Sequence, residues 1–333
     1  MSRIAVIGAG TWGTALAVHF ARAGRPLHLW ARDESVVAAM ISSGANNRYL
    51  PDVPLPPEVV PTASLDAALE HAQFVVVAVP SHGLRAVVRA AAPLIGDGAV
   101  IVSAAKGLEA DSLRRMSEVI EEETGSRVPT VVLSGPSFAA EVARGLPTAV
   151  LAASSDHRAA GRVQEHFRGR GLRLYVSDDV AGVEIGGALK NVIAIAAGVV
   201  DGLGLGHNAL SALITRGLAE ISRLACAEGG RRETLAGLSG LGDLVLTCTG
   251  NLSRNRYVGI ELGRGRRLAE IVGGMHMVAE GVRTTGAALA LGARHGIELP
   301  IAAQMAAVLE GTVSPLDAVE TLMGRRQRAE VDG

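Results

Sequence analysis

Residues 3–18 read RIAVIGAGTWGTALAV: an apolar run of strand length, three glycines spaced GxGxxG, then the spaced apolar positions of a helix. Few folds accept such a segment. A continuous apolar strand must be covered on both faces, which calls for a parallel sheet flanked by helices. The glycine turn between strand and helix is the phosphate cradle of dinucleotide-binding domains. Gly8 permits the tight turn, Gly10 lets backbone approach a pyrophosphate, and Gly13 lets helix and strand pack closely. Thr11 and Trp12 stand at the helix start, whose free N–H groups attract phosphate.

The same alternation continues. PLHLWA precedes ESVVAAMIS, FVVVAVP precedes LRAVVRAAAPL, and AVIVSAA precedes SLRRMSEVIEEETG. TVVLSG, TAVLAAS and LRLYVS add strands, with helical segments around residues 137–144 and 157–167. After Ser177 the strand patterns stop and helix-length apolar periodicity takes over. The expected fold class is therefore α/β: an N-terminal Rossmann-like doubly wound domain, residues 1–178, followed by an all-helical C-terminal domain, residues 179–333. YLPDVPLPPEVVP, residues 49–61, reads as a long surface loop inside the first domain. Residues 180–200 reach membrane-spanning length but carry Glu184, Lys190 and Asn191, so a buried core helix is expected and no membrane span.

Composition narrows the partners. At 333 residues and 48% hydrophobic content the chain can bury two cores. A formal net charge of −1 and 3% aromatic residues supply neither a basic footprint nor base-stacking rings, so no nucleic acid is expected. Cys226 and Cys248 are too few for a disulfide framework or a structural zinc site; no metal is expected, and a reducing, cytoplasmic location fits. The N-terminal apolar run is too short for a signal peptide.

Positive charge is carried almost wholly by arginine: of 32 lysines and arginines, only Lys106 and Lys190 are lysines. Arginine does not release its proton in a protein, whereas lysine can. These two positions are therefore candidates for proton chemistry, although a lone lysine is more often a surface residue with its stem laid along apolar neighbours. ARDE ends the second strand. Arg32 there could grip a 2′-phosphate or stack on adenine, while Asp33 could bind a ribose 2′-hydroxyl or cap the following helix. Asp243, in LGDL, reads most simply as a helix N-cap.

GAGTWGTALA, AAKGLE, LSGPSFAAEVA, GALKNVIAIAAG, LSGLGDLVLTC, SRNR and GVRTT occur in that order. With them the chain resembles the bacterial NAD(P)-dependent glycerol-3-phosphate dehydrogenases over almost its whole length. The resemblance implies reduction of dihydroxyacetone phosphate by NAD(P)H to sn-glycerol 3-phosphate, feeding glycerophospholipid synthesis, by a homodimer. It puts the proton donor or acceptor at Lys190 and a second active-site lysine at Lys106. It assigns substrate to Lys106, Gly135, Ser137, Lys190, Asn191, Asp243, Ser253, Arg254 and Asn255. It assigns cofactor to Thr11, Trp12, Arg32, Tyr49, Lys106, Ala139, Arg254, Val278 and Glu280, beside Gly8, Gly10 and Gly13. Arg32 and Asp33 leave NADP or NAD open, with NADPH favoured.

Two other readings compete. A dinucleotide sensor would need no proton donor beside the nicotinamide, which Lys106, Lys190, Asp243 and Arg254 argue against. A related reductase for a β-hydroxyacid or ketopantoate would need no phosphate turn, which SRNR argues against.

Overall fold

The computed structural model describes residues 3–275, 279–327 and 329. The chain forms two compact units: Met1–Lys106 with Arg114–Val180, and Gly107–Leu113 with Ala181–Gly333.

The first unit alternates strands and helices: β1 (Arg3–Ile7), α1 (Thr11–Arg22), β2 (Leu27–Trp30), α2 (Glu34–Ser43), β3 (Val59–Thr62), α3 (Leu65–Leu69), β4 (Ala72–Val77), α4 (Ser81–Ala91), β5 (Val100–Ser103), α5 (Met116–Thr124), β6 (Thr130–Ser134), α6 (Ala139–Arg144), β7 (Thr148–Ala153), α7 (His157–Phe167) and β8 (Leu172–Ser177). The strands form one sheet in the order β3-β2-β1-β4-β5-β6-β7-β8. Along β1 the side chains alternate between two cores, as the pleat requires. Ile4 and Val6 join the core containing Leu16 and Phe20 of α1, whereas Ala5 and Ile7 join that of Leu84 and Val88 of α4 and Ile120 of α5. Strand order reverses between β1 and β4, the switch point where such sheets collect ligands.

Three local expectations need correction. The proline-rich stretch is not simply a surface loop: it ends in β3, paired parallel to β2, and Leu50 and Val53 within it are buried against Ala15, Val18 and Ala143. Pro61 is tolerated because β3 is the edge strand, where a missing N–H removes no second ladder. The sheet is not wholly parallel, since β6 and β7 pair antiparallel. α6, the helix between them, has six residues and spans only about 9 Å, too little to carry the chain back along a strand. The helix expected from Ser112 begins at Met116, where Glu118 accepts from the Arg115 backbone N–H at 2.8 Å and closes the helix start.

The second unit is helical: α8 (Val180–Gly202), α9 (Gly206–Ala227), α10 (Arg232–Leu235), α11 (Asp243–Thr249), α12 (Arg254–Gly263), α13 (Leu268–Gly273), α14 (Glu280–Arg294), α15 (Pro300–Glu310) and α16 (Pro315–Met323), with a π-turn at Leu238–Gly242. α8 is long and apolar enough to cross a membrane, yet its apolar window is wholly buried inside the protein, as a core helix is. Small residues let α12 lie directly on it. A Cβ at Gly198 would overlap the Arg256 carbonyl oxygen, and one at Gly259 would overlap that of Ile195. This backbone-to-backbone contact sets the N-terminus of α12 beside the middle of α8.

Candidate functional site

In the first unit, β1 delivers the chain to Gly8, whose φ of +119° only glycine adopts without strain. A Cβ at Gly8 would stand 2.6 Å from the Ala78 carbonyl oxygen, and one at Gly13 would overlap the Gly8 carbonyl oxygen. A Cβ at Gly10 would meet nothing within 4 Å. The turn is thus packed tightly at its first and third glycines and open at its second. Gly10 caps α1 without any side-chain bond, so no side chain of the cap competes for the N–H groups of the first turn. Thr11 and Trp12 open the helix, half-buried. These residues fit a dinucleotide pyrophosphate.

At the end of β2, Arg32 is exposed and, among the described residues, makes no hydrogen bond or ion pair. Asp33 caps α2: its Oδ1 accepts from the Ser35 backbone N–H at 2.9 Å and from the Ser35 hydroxyl at 2.6 Å. The Ser35 hydroxyl, then the Ser35 amide, hold the Asp33 carboxyl below its ordinary value, helped by Arg48. Arg48 Nη1 lies 3.3 Å from Asp33 Oδ2, and its guanidinium stands 5.4 Å from the ring centre of the half-buried Tyr49. Beneath them, buried Asn46 donates from Nδ2 to the Ala9 carbonyl at 2.9 Å and to Thr14 Oγ1 at 2.8 Å. Its own carbonyl accepts from the Tyr49 and Leu50 N–H groups. Asn46 was not singled out in the sequence, and no local pattern marks it: its partners lie 37 and 32 residues away.

After β5, Lys106 Nζ donates to the Gly135 carbonyl at 3.0 Å, and Ser137 Oγ donates to the same oxygen at 2.9 Å. Gly135 has φ of +133°, and a Cβ there would meet Val150 at 3.0 Å. Lys106, Gly135 and Ser137 therefore converge on one carbonyl, with Ala139 opening α6 just beyond.

In the second unit, Lys190 and Asn191 project from α8, buried at 7% and 6% exposure. Lys190 Nζ donates to Asp243 Oδ1 at 2.6 Å and to Thr247 Oγ1 at 2.7 Å. Thr247 Oγ1 in turn donates to the Asp243 carbonyl at 2.7 Å. The N-cap reading of Asp243 is corrected: Gly242 holds the cap position of α11, and the carboxylate turns to Lys190 instead. Thr247 is a residue that the sequence reading missed. It follows Asp243 by four positions on a helix, a spacing that would have placed both on one face. The neighbouring Cys248 thiol is pushed up to about 12 by burial.

Asn255, first turn of α12, donates from Nδ2 to Asn191 Oδ1 at 2.9 Å and accepts the Gly281 N–H at 2.9 Å. Ser253 caps α12 by accepting the Arg256 N–H at 3.2 Å. Arg254 is exposed to solvent, yet enough protein surrounds it that desolvation lowers its guanidinium from the ordinary value, with Glu280 acting in the opposite direction. Glu280 opens α14. Arg256 bonds Asp201 at 2.9 Å and Asn251 at 3.1 Å, tying the turn to the end of α8. Glu184 is buried on α8. Val278 lies outside the described residues.

The N-terminal part of this chain, residues 3–160, matches the NAD-dependent glycerol-3-phosphate dehydrogenase N-terminus, and residues 179–320 match the C-terminus of the same family. A glycerol-3-phosphate dehydrogenase [NAD(P)+] of Koribacter versatilis is 54% identical over 335 residues, covering 99% of each chain. That of Acidobacterium capsulatum is 55% identical over 338 residues, covering 99% of this chain and all of the relative. The crystal structure of the Coxiella burnetii glycerol-3-phosphate dehydrogenase superposes with a TM-score of 0.94 at 44% identity, covering 97% of this chain and 99% of that one. With both halves of the family matched in order and half of all residues shared with its relatives, the chain belongs to the NAD-dependent glycerol-3-phosphate dehydrogenase family.

Proposed function

We propose that the protein reduces dihydroxyacetone phosphate to sn-glycerol 3-phosphate with NAD(P)H, reversibly, and so supplies glycerophospholipid synthesis. Family membership and the activity named for its relatives support this reading. The observation that carries it is the buried attachment of Lys190 to Asp243 and Thr247. An ammonium can donate a proton, and these partners hold that of Lys190 in a buried, fixed position.

When bound, the reduced nicotinamide supplies a hydride to the ketone carbon. Charge then develops on the ketone oxygen, and Lys190 both stabilises it and delivers a proton there. Asp243 and Thr247 hold the amine that remains, and keep it aimed for the reverse step. Arg254 grips the substrate phosphate as a charge-assisted partner, with Ser253 beside it. Asn191 presents its amide N–H groups, since its oxygen is taken by Asn255. Lys106, seated on the Gly135 carbonyl, adds positive charge for anionic ligands. The glycine turn and α1 hold the pyrophosphate, with Thr11, Trp12, Arg32, Tyr49, Ala139 and Glu280 lining the cofactor.

In this reading residues 1–178 are the NAD(P)-binding domain and 179–333 the substrate-binding and catalytic domain. The family resemblance extends the proposal to a cytoplasmic homodimer. Initial rates of NADPH and NADH oxidation with dihydroxyacetone phosphate, against unphosphorylated dihydroxyacetone, test the reaction. Turnover that requires the phosphate is expected; equal rates with the unphosphorylated ketone, or none with either, would remove the reading.

A further inference from the structure

The end of β2 decides between the two nicotinamide cofactors, because the adenosine ribose carries either a free 2′-hydroxyl or a 2′-phosphate there. A hydroxyl wants a carboxylate with an oxygen to spare. In Asp33, Oδ1 is committed to two bonds from Ser35, and Oδ2 faces Arg48 at 3.3 Å rather than an open ribose site. A phosphate wants two cations, being close to doubly charged. Two arginines flank Asp33, Arg32 next to it in sequence and Arg48 across the ion pair.

We infer that Arg48 is a specificity-determining residue, joining Arg32 in recognising the 2′-phosphate and neutralising Asp33, so that the protein prefers NADPH to NADH. This rests on the proposed reading that the first unit holds a nicotinamide dinucleotide. Arg48 is well placed for the task. Its loop is closed by the Leu55 N–H on the Gly44 carbonyl at 2.8 Å, and Asn46 anchors it to the glycine turn itself. The face of Tyr49 supports its guanidinium. Without Arg48, the site would present Arg32 beside an uncompensated carboxylate, which repels phosphate.

Equilibrium titration of the intact protein with NADPH and with NADH, followed by nicotinamide fluorescence, tests this without any ketone. In Arg48→Ala the Kd for NADPH should rise roughly tenfold or more, as loss of a charge-assisted contact implies, while that for NADH changes less than about threefold. Arg48→Lys should recover part of the loss, since it keeps the charge without the fork. A merely structural role would weaken both cofactors alike. An equal loss for both, or none for either, would overturn the inference. So would Asp33→Asn selectively weakening NADH, because the carboxylate would then be receiving the ribose. The proposed reaction fails separately, on absent turnover of dihydroxyacetone phosphate.

Discussion

Lys190 Nζ lies 2.6 Å from Asp243 Oδ1, with side chains only 9% and 1% exposed, so the two charges face each other almost without water. Such a pair is costly to halve. Asp243→Ala removes the carboxylate that faces a buried ammonium and is expected to destabilise the protein by about 3–5 kcal/mol. Asp243→Asn keeps an acceptor for the same proton and should cost less. Urea denaturation of the two variants checks the order; equal stability would mean that the ion pair contributes nothing to the fold.

Lys190→Ala and Lys190→Arg should both lower kcat by roughly 10²–10⁴, the usual worth of general acid catalysis, with NADPH binding kept. Arginine is the informative variant, because it retains charge but cannot give up a proton. An enzyme with Lys190→Arg and near-normal kcat would refute proton transfer from this residue.

Arg254→Ala should chiefly raise the KM for dihydroxyacetone phosphate, by about tenfold or more, through loss of a charge-assisted bond. Steady-state kinetics with that substrate give the answer, and an unchanged KM would remove the phosphate assignment.

Asn46→Ala strips the donors from the Ala9 carbonyl and the Thr14 hydroxyl, both beside the glycine turn. Stability should fall by about 1–3 kcal/mol. The KM values for NADPH and NADH should rise by the same factor with kcat nearly kept, unlike Arg48→Ala, which should act chiefly on NADPH. A selective effect of Asn46→Ala on one cofactor would contradict this division of roles.

Glu220, on α9, is buried and accepts the Ile301 N–H at 2.7 Å and that of Ala302 at 3.4 Å, at the start of α15. Burial pushes its carboxyl up to about 7 from an ordinary 4.5, against the opposing pull of these amides and of Arg223 and Arg325. The folded state therefore holds this proton more tightly than the unfolded chain. The resulting stabilisation is full below pH 4.5 and is lost as pH rises to about 7, a total of roughly 3 kcal/mol. Glu220→Gln keeps the acceptor and removes the titration. Its unfolding free energy should stay flatter than that of the parent between those pH values; parallel curves would sink the assignment.

Much of this was legible in the chain. The β1 run and GAGTWG announced the sheet and the glycine turn because strand, turn and helix are local, although the packing of Gly8 against Ala78 is not. α8 was readable as a core helix because Glu184, Lys190 and Asn191 interrupt an otherwise apolar surface. The family motifs were contiguous, so the family was legible in them. β3 escaped because prolines suppress strand signals, and only pairing with β2 makes Val59–Thr62 a strand. The segment Gly107–Leu113 folds with the second unit although no local pattern separates it from its neighbours.

Side-chain partnership belongs to a different level. The motif ARDE leaves Asp33 equally suited to a ribose or a helix cap, and the choice fell to Ser35 and to Arg48, 15 residues on. Asp243 could have capped α11, yet an ammonium 53 positions away took its carboxylate. Backbone pattern is set by short-range sterics and by the period of apolar residues, which a chain displays along its length. Which oxygen faces which nitrogen is set by how glycine-lined helices such as α8 and α12 approach, and that distance exists only once the core is packed.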